Sequence, residues 1–200
     1  MSIERLKKEY EIQVKWRAFP LHPDTPEQGR TLEELFQKKG LQVDVGEMMA
    51  HLKHTAAKLG LELGDRNMTY NSRLAQEIGL WAETEKRSHQ FHMEAFKAYF
   101  AQGLNIADKE VLSALIKRSG MDPDEGMKII ETRAFSDAVD SDWALSKAKN
   151  VTAVPTFFMG TDRLVGAQPY EALENLVQRS NIPIAGKKLP SLPSHTGRPW

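Results

Sequence analysis

Two histidine pairs, His51 with His54 and His89 with His92, are spaced three residues apart, the interval that sets both imidazoles on one face of a helix. Such a pair holds a metal ion when a third ligand joins it. Neither pair has a convincing third ligand, so all four read as helix-surface histidines and no metal or other cofactor is expected. Serine, histidine and acidic residues are plentiful, but no Gly-x-Ser-x-Gly nucleophile elbow appears. Cysteine is absent from all 200 residues. With no thiolate there is no sulfur nucleophile, no structural disulfide and no thiolate metal site, and methionine sulfur is no substitute. No residue is assigned a catalytic role. What remains is a binding feature, Val154-Pro155 directly ahead of the apolar run Thr156-Phe157-Phe158-Met159. Taken alone, this step reads as a trans proline at the first residue of a strand, since only about 5–6% of X-Pro bonds in folded proteins are cis.

Composition narrows the classes further. Lys plus Arg and Asp plus Glu both number 27, so the formal net charge is zero and a polyanionic partner such as nucleic acid is disfavoured. Lys7-Lys8, Lys38-Lys39 and Lys187-Lys188 are too short and too far apart to form a nucleic-acid footprint. No apolar run approaches the roughly 18 residues that would span a bilayer, and the N-terminus is charged from Glu4 onward, unlike a signal peptide. A soluble, cytoplasmic protein with no membrane partner is the plain expectation. Met48-Met49, Met68 and Met93 could supply an adaptable apolar surface for peptides, although such residues more often fill a core.

The elements that would position Val154-Pro155 follow from periodicity. Ile3, Leu6 and Tyr10 share one face of a short helix that Ser2 could cap. From Glu11 to Phe19 the period changes to two, with Ile12, Val14, Trp16 and Ala18 alternating against Gln13, Lys15, Arg17 and Phe19, which predicts a strand. Pro20, Pro23 and Pro26 end it. Between Thr31 and about Arg133 no convincing strand is found. Thr31 with Glu34 makes a capping box, Asp108 caps a helix carrying Leu112 and Leu115, and Asp122-Pro123 opens another with Met127 and Ile130. Then come a helix over about Ala134 to Ala148, a hairpin of Thr156–Met159 with Leu164-Val165 turning at Gly160-Thr161-Asp162, and a helix opened by Pro169. Beyond Asn181 four prolines (Pro183, Pro190, Pro193 and Pro199) predict an extended tail.

In order and spacing this chain resembles the DsbA-like thioredoxin-fold family, and within it the cytoplasmic FrnE-type oxidoreductases. The carriers are Arg5-Leu6-Lys7-Lys8-Glu9-Tyr10, Trp16-Arg17-Ala18-Phe19-Pro20-Leu21-His22-Pro23, Asn71-Ser72-Arg73-Leu74-Ala75, Phe91-His92 with Ala95-Phe96, Ala153-Val154-Pro155-Thr156-Phe157 and Gly166-Ala167-Gln168-Pro169. The resemblance runs from about Ile3 to Arg179. It implies an α/β fold with a thioredoxin-like core and a large all-helical insertion. The core would take residues 1–26 and 134–182, the insertion 27–133 and the proline-rich tail 183–200.

The resemblance also implies a cis Val154-Pro155 bond whose exposed backbone pairs with an extended peptide or small disulfide substrate, with Phe19 and His22, and beside them Leu21 and Trp143, as further candidates for lining that groove. The bland reading of Phe19 and Leu21 is core packing, and of His22 a solvated loop imidazole. The family's first core strand and the Cys-x-x-Cys after it have no counterpart here. In the family that strand lies between the second strand and the hairpin, so its loss leaves two sheet edges without hydrogen-bond partners. An upstream strand and Cys-x-x-Cys beyond Met1 are the expected remedy; a partner chain, as in a homodimer, or a rearranged sheet are the others. By lineage the function is thiol-disulfide oxidoreduction, with this cysteine-free chain inactive by itself. A non-catalytic peptide- or ligand-binding module and a relative of the glutathione-dependent isomerases are the alternatives.

Overall fold

The computed structural model describes residues 2–180 and 182–185, except the side chain of Ser2. The Ser2 cap and nearly all of the expected tail lie outside the described residues. The chain divides into two compact units, residues 1–17 with 148–200 and residues 18–147.

The first unit is a small hairpin backed by helices. Helix α1 (Ser2–Glu9) buries Leu6, and the hairpin of β3 (Thr156–Met159) and β4 (Asp162–Val165) turns through Gly160, whose φ of +59° suits a residue without a Cβ. The strands β1 (Arg30–Thr31) and β2 (Met68–Thr69) belong to the second unit. Antiparallel register sets Phe157 opposite Leu164 and Met159 opposite Asp162. Those positions share one face, and Phe157, Met159 and Leu164 pack on a core of Leu6, Tyr10, Leu173 and Val177. The last two come from α9 (Tyr170–Arg179), which follows Pro169 as the sequence predicts. Tyr10 fixes α9 further, its hydroxyl donating to Glu174 Oε1 at 2.9 Å and accepting from Gln178 Nε2 at 2.9 Å.

The second unit is helical. A two-residue ladder pairs β1 (Arg30–Thr31) with β2 (Met68–Thr69), a small exception to the strand-free block expected from sequence. Thr31 and Glu34 form the predicted capping box at the start of α2 (Leu32–Lys38). Leu32 and Leu35 pack with Val45 and Met49 of α3 (Val45–Lys58), so Met49 is core rather than an adaptable surface. The main core gathers Ile78, Trp81 and Ala82 of α4 (Arg73–Thr84), Phe91 of α5 (Ser88–Phe96), and Leu112, Leu115 and Ile116 of α6 (Lys109–Arg118). Ile130 of α7 (Pro123–Thr132) joins them, and a π-helical turn at Lys97–Ala101 continues α5. Buried Glu77 sits among these helices, held by Arg73 Nε at 3.1 Å and by Arg133 Nε and Nη2 at 2.9 and 2.6 Å.

One expectation is corrected. Glu11–Phe19 is not a strand. Tyr10 makes a single bridge to Ile184, with Glu11 N–H donating to Pro183 O and Ala185 N–H to Glu9 O, and regular pairing stops there. Residues 13–17 are exposed on both faces, Val14 at 40% and Trp16 at 39%. Alternation marks which side chains could face a core, but a strand also needs a neighbouring strand along its length, and beyond the single Tyr10 bridge no strand among the described residues pairs with this segment. The compact units divide at 17/18 and 147/148, whereas the sequence sets the ends of the insertion at 26/27 and 133/134. The cause is side-chain anchoring: Asp142 and Ser146 of α8 (Ser136–Ala148) bond the N–H and C=O of Ala18, while Trp143 Nε1 donates to Gln76 and Arg73 to Asp140. Residues 18–26 and nearly all of α8 therefore belong with the helices.

Candidate functional site

After α8 the chain turns at Asn150, whose φ is +50°, and reaches the Val154-Pro155 step, where the peptide bond is cis. The next bonds explain how this corner is held. Pro155 O accepts the N–H of Gly166 at 2.8 Å, Thr156 Oγ1 donates to Ala153 O at 2.6 Å, and Gln168 Nε2 donates to Val165 O at 2.8 Å. The corner is thus tied to both sides of the hairpin. Among the described residues the backbone of Val154 itself has no hydrogen-bond partner, and its side chain is 44% exposed.

The hairpin face opposite the core carries Thr156, Phe158, Arg163 and Val165. Phe158 and Val165 are among the exposed large apolar residues, and Lys149 Nζ stands 4.8 Å from the centre of the Phe158 ring. Among the described residues β3 has β4 as its one strand neighbour, so alternate backbone groups along its other side face away from the ladder. Such an edge can accept an extended chain by backbone hydrogen bonds, with exposed apolar side chains gripping alternate residues. It holds no thiol, because there is no cysteine.

Phe19 and His22 belong to the second unit. Phe19 is half-buried and its carbonyl accepts from Gln76 Nε2 at 3.1 Å. Leu21 is exposed, and Trp143 is half-buried with the Arg73 guanidinium 4.6 Å from its ring, a packing role. His22 is half-buried rather than solvated, and burial, then the positive charges of Lys39, Arg30 and Arg66, holds its pKa below the usual 6.5. This company went unread in the sequence, because Arg30, Lys39 and Arg66 lie in separate segments that share no motif. Among the described residues no group of three His, Asp or Glu side chains gathers to hold a metal. His51, His54 and His89 are exposed, and His92 Nδ1 lies 2.6 Å from Ser88 O.

A family model for the DSBA-like thioredoxin domain matches residues 1–178. The chain belongs to the DSBA-like thioredoxin domain family. Its hairpin and α9 are therefore part of a thioredoxin-type fold that carries a large helical insertion. This DSBA-like chain is 26% identical over 181 residues to the uncharacterized protein YwbO of Bacillus subtilis (strain 168), covering 88% of this chain and 86% of that protein. Its fold is similar to the crystal structure of a probable DsbA oxidoreductase from Streptomyces coelicolor, with a TM-score of 0.75 at 22% identity over 88% of this chain and 77% of that one. The lineage is that of thiol-disulfide oxidoreductases. No helix among the described residues is long and apolar enough to cross a membrane.

Proposed function

We propose that residues 1–200 form a FrnE-type member that cannot turn over disulfides unaided and instead holds an extended peptide or small disulfide ligand along the hairpin. Thiol-disulfide exchange begins with thiolate attack on a disulfide sulfur and passes through a mixed disulfide that a second thiol resolves. Both sulfurs have to come from outside this sequence. The observation that carries the binding reading is the combination at one corner of an exposed Val154, a backbone there without partners among the described residues, and the open side of β3 beside Phe158. A soluble, cytoplasmic setting without nucleic-acid or membrane partners accords with the balanced charge.

The test has two arms. In an insulin-reduction assay with dithiothreitol, the pure chain gives the rate of the buffer control; turnover above it refutes the inactive reading. In the second arm a fluorescent extended peptide binds saturably, and Val154→Asp weakens it about tenfold, equal to about 1.4 kcal/mol. N-methylation of alternate peptide amides abolishes binding if it runs through backbone hydrogen bonds. Equal affinity for methylated and unmethylated peptide removes strand addition as the mode.

A further inference from the structure

The turn His22-Pro23-Asp24-Thr25 is anchored from both sides. Thr25 N–H donates to His22 O at 3.2 Å, and Asn71 Nδ2 donates to Thr25 O at 2.7 Å and to Pro23 O at 3.4 Å. Thr25 is only 3% exposed, yet among the described residues its hydroxyl has no hydrogen-bond partner. A buried hydroxyl left unpaired costs about 1–3 kcal/mol, so an unmet donor here needs an explanation.

Arg66 shows the same feature. Its guanidinium carbon stands 4.3 Å from the Tyr99 ring centre and 5.2 Å from that of Phe100, and its buried Nε has no partner among the described residues. Stacking fixes the plane of a guanidinium and leaves its edge to donate, the arrangement suited to an oxyanion. Tyr99 is itself held by Thr69 Oγ1 at 3.1 Å, and Thr69 is the ladder partner of Arg30. The stacked Arg66 and the strand residue Arg30 are thereby built on one scaffold.

The charges around this scaffold are not balanced locally. The positive charges of Lys39, Arg30 and Arg66 all favour the neutral His22 ring. Among the described residues none of the three cations forms a salt bridge, and the contact of Arg30 Nη2 is with the backbone oxygen of Asp24 at 3.4 Å. The Asp24 carboxylate is 82% exposed and stands 4.0 Å from Lys38. Neighbouring like charges oppose one another at any protein dielectric, and a bound anion offsets that cost.

We propose that His22, Arg30 and Arg66, with Lys39 beside them and the Thr25 hydroxyl as a further donor, form a site for a compact oxyanion, either a phosphate group or a carboxylate. The site lies wholly within the helical unit and does not rest on the hairpin binding proposed above. A doubly charged phosphate would draw on both guanidinium groups. A single carboxylate, such as a peptide C-terminus, would take the Arg66 edge.

The test follows the His22 ring by NMR in the full chain. Inorganic phosphate and a short peptide acid are titrated separately, with the matching peptide amide and sodium chloride as controls. A saturable shift with phosphate, with the peptide acid, or with both, absent with the amide and with chloride, supports the site and identifies its ligand class. The bound anion also raises the His22 pKa relative to chloride. Arg30→Gln with Arg66→Gln removes the shift, while Arg66→Lys, which keeps the charge and loses the fork, weakens it at least tenfold with an unchanged thermal melt. No saturable shift with either anion overturns the proposal, as does a shift that survives the double substitution.

Discussion

The Asp142 carboxylate accepts the backbone N–H of Ala18 at 2.9 Å, across 124 residues of sequence. It thereby does for one residue what a neighbouring strand would have done for a whole segment. Ser146 Oγ reaches the carbonyl of the same residue at 3.5 Å, and Gln76 takes the carbonyl of Phe19. Residues that alternate like a strand are held here by side chains of α4 and α8.

Asp142→Ala is therefore expected to destabilise the protein by about 1–3 kcal/mol, the cost of leaving a partly buried N–H without an acceptor. Asp142→Asn retains an acceptor oxygen and should stay within about 1 kcal/mol of the parent. Urea unfolding compares the two. Equal losses for both variants would show that charge, not the acceptor, matters at this position.

Glu77 is 1% exposed, and the partners that hold it, Arg73 and Arg133, both reach solvent. A carboxylate in that position is strongly coupled to its partners, because removing either leaves the other charge unmatched. A double-mutant cycle of Glu77→Gln and Arg133→Met should give a coupling energy of roughly 1.5–3 kcal/mol. Stability losses that simply add would mean the pair is incidental to the packing of α4 on α7.

His92 supplies a pH dependence with a definite sign. Burial pushes its pKa below 6.5, against the opposing hydrogen bond to Ser88 O and the charge of Glu83. The folded state thus binds this proton less readily than the unfolded chain. The stability it contributes is complete above the unfolded value and is lost as pH falls through the window below about 6.5. Denaturation midpoints measured near neutral pH and near about pH 5 should differ more for the parent than for His92→Asn. Identical pH slopes would exclude His92 as a source.

The local signals in the sequence were sufficient wherever neighbours in the chain decide the structure. Thr31 with Glu34, Asp108, and Asp122 with Pro123 start their helices because a cap needs only its own side chain and the next turn's amides. The hairpin at Gly160 and the helix after Pro169 are local in the same sense. The lack of cysteine excluded a thiolate from these 200 residues, since no fold can supply an absent sulfur. Tertiary structure decided the rest. Whether Glu11–Phe19 became a strand depended on a ladder partner, and whether α8 joined the hairpin or the helices depended on Asp142, Ser146 and Trp143 finding acceptors and donors far away in sequence. The setting of His22 depended on Arg30, Lys39 and Arg66, drawn from three separate segments. Periodicity along a chain records which side a residue can turn to a core, whereas hydrogen-bond pairing and electrostatic crowding are properties of distant groups brought together, and only folding fixes those distances.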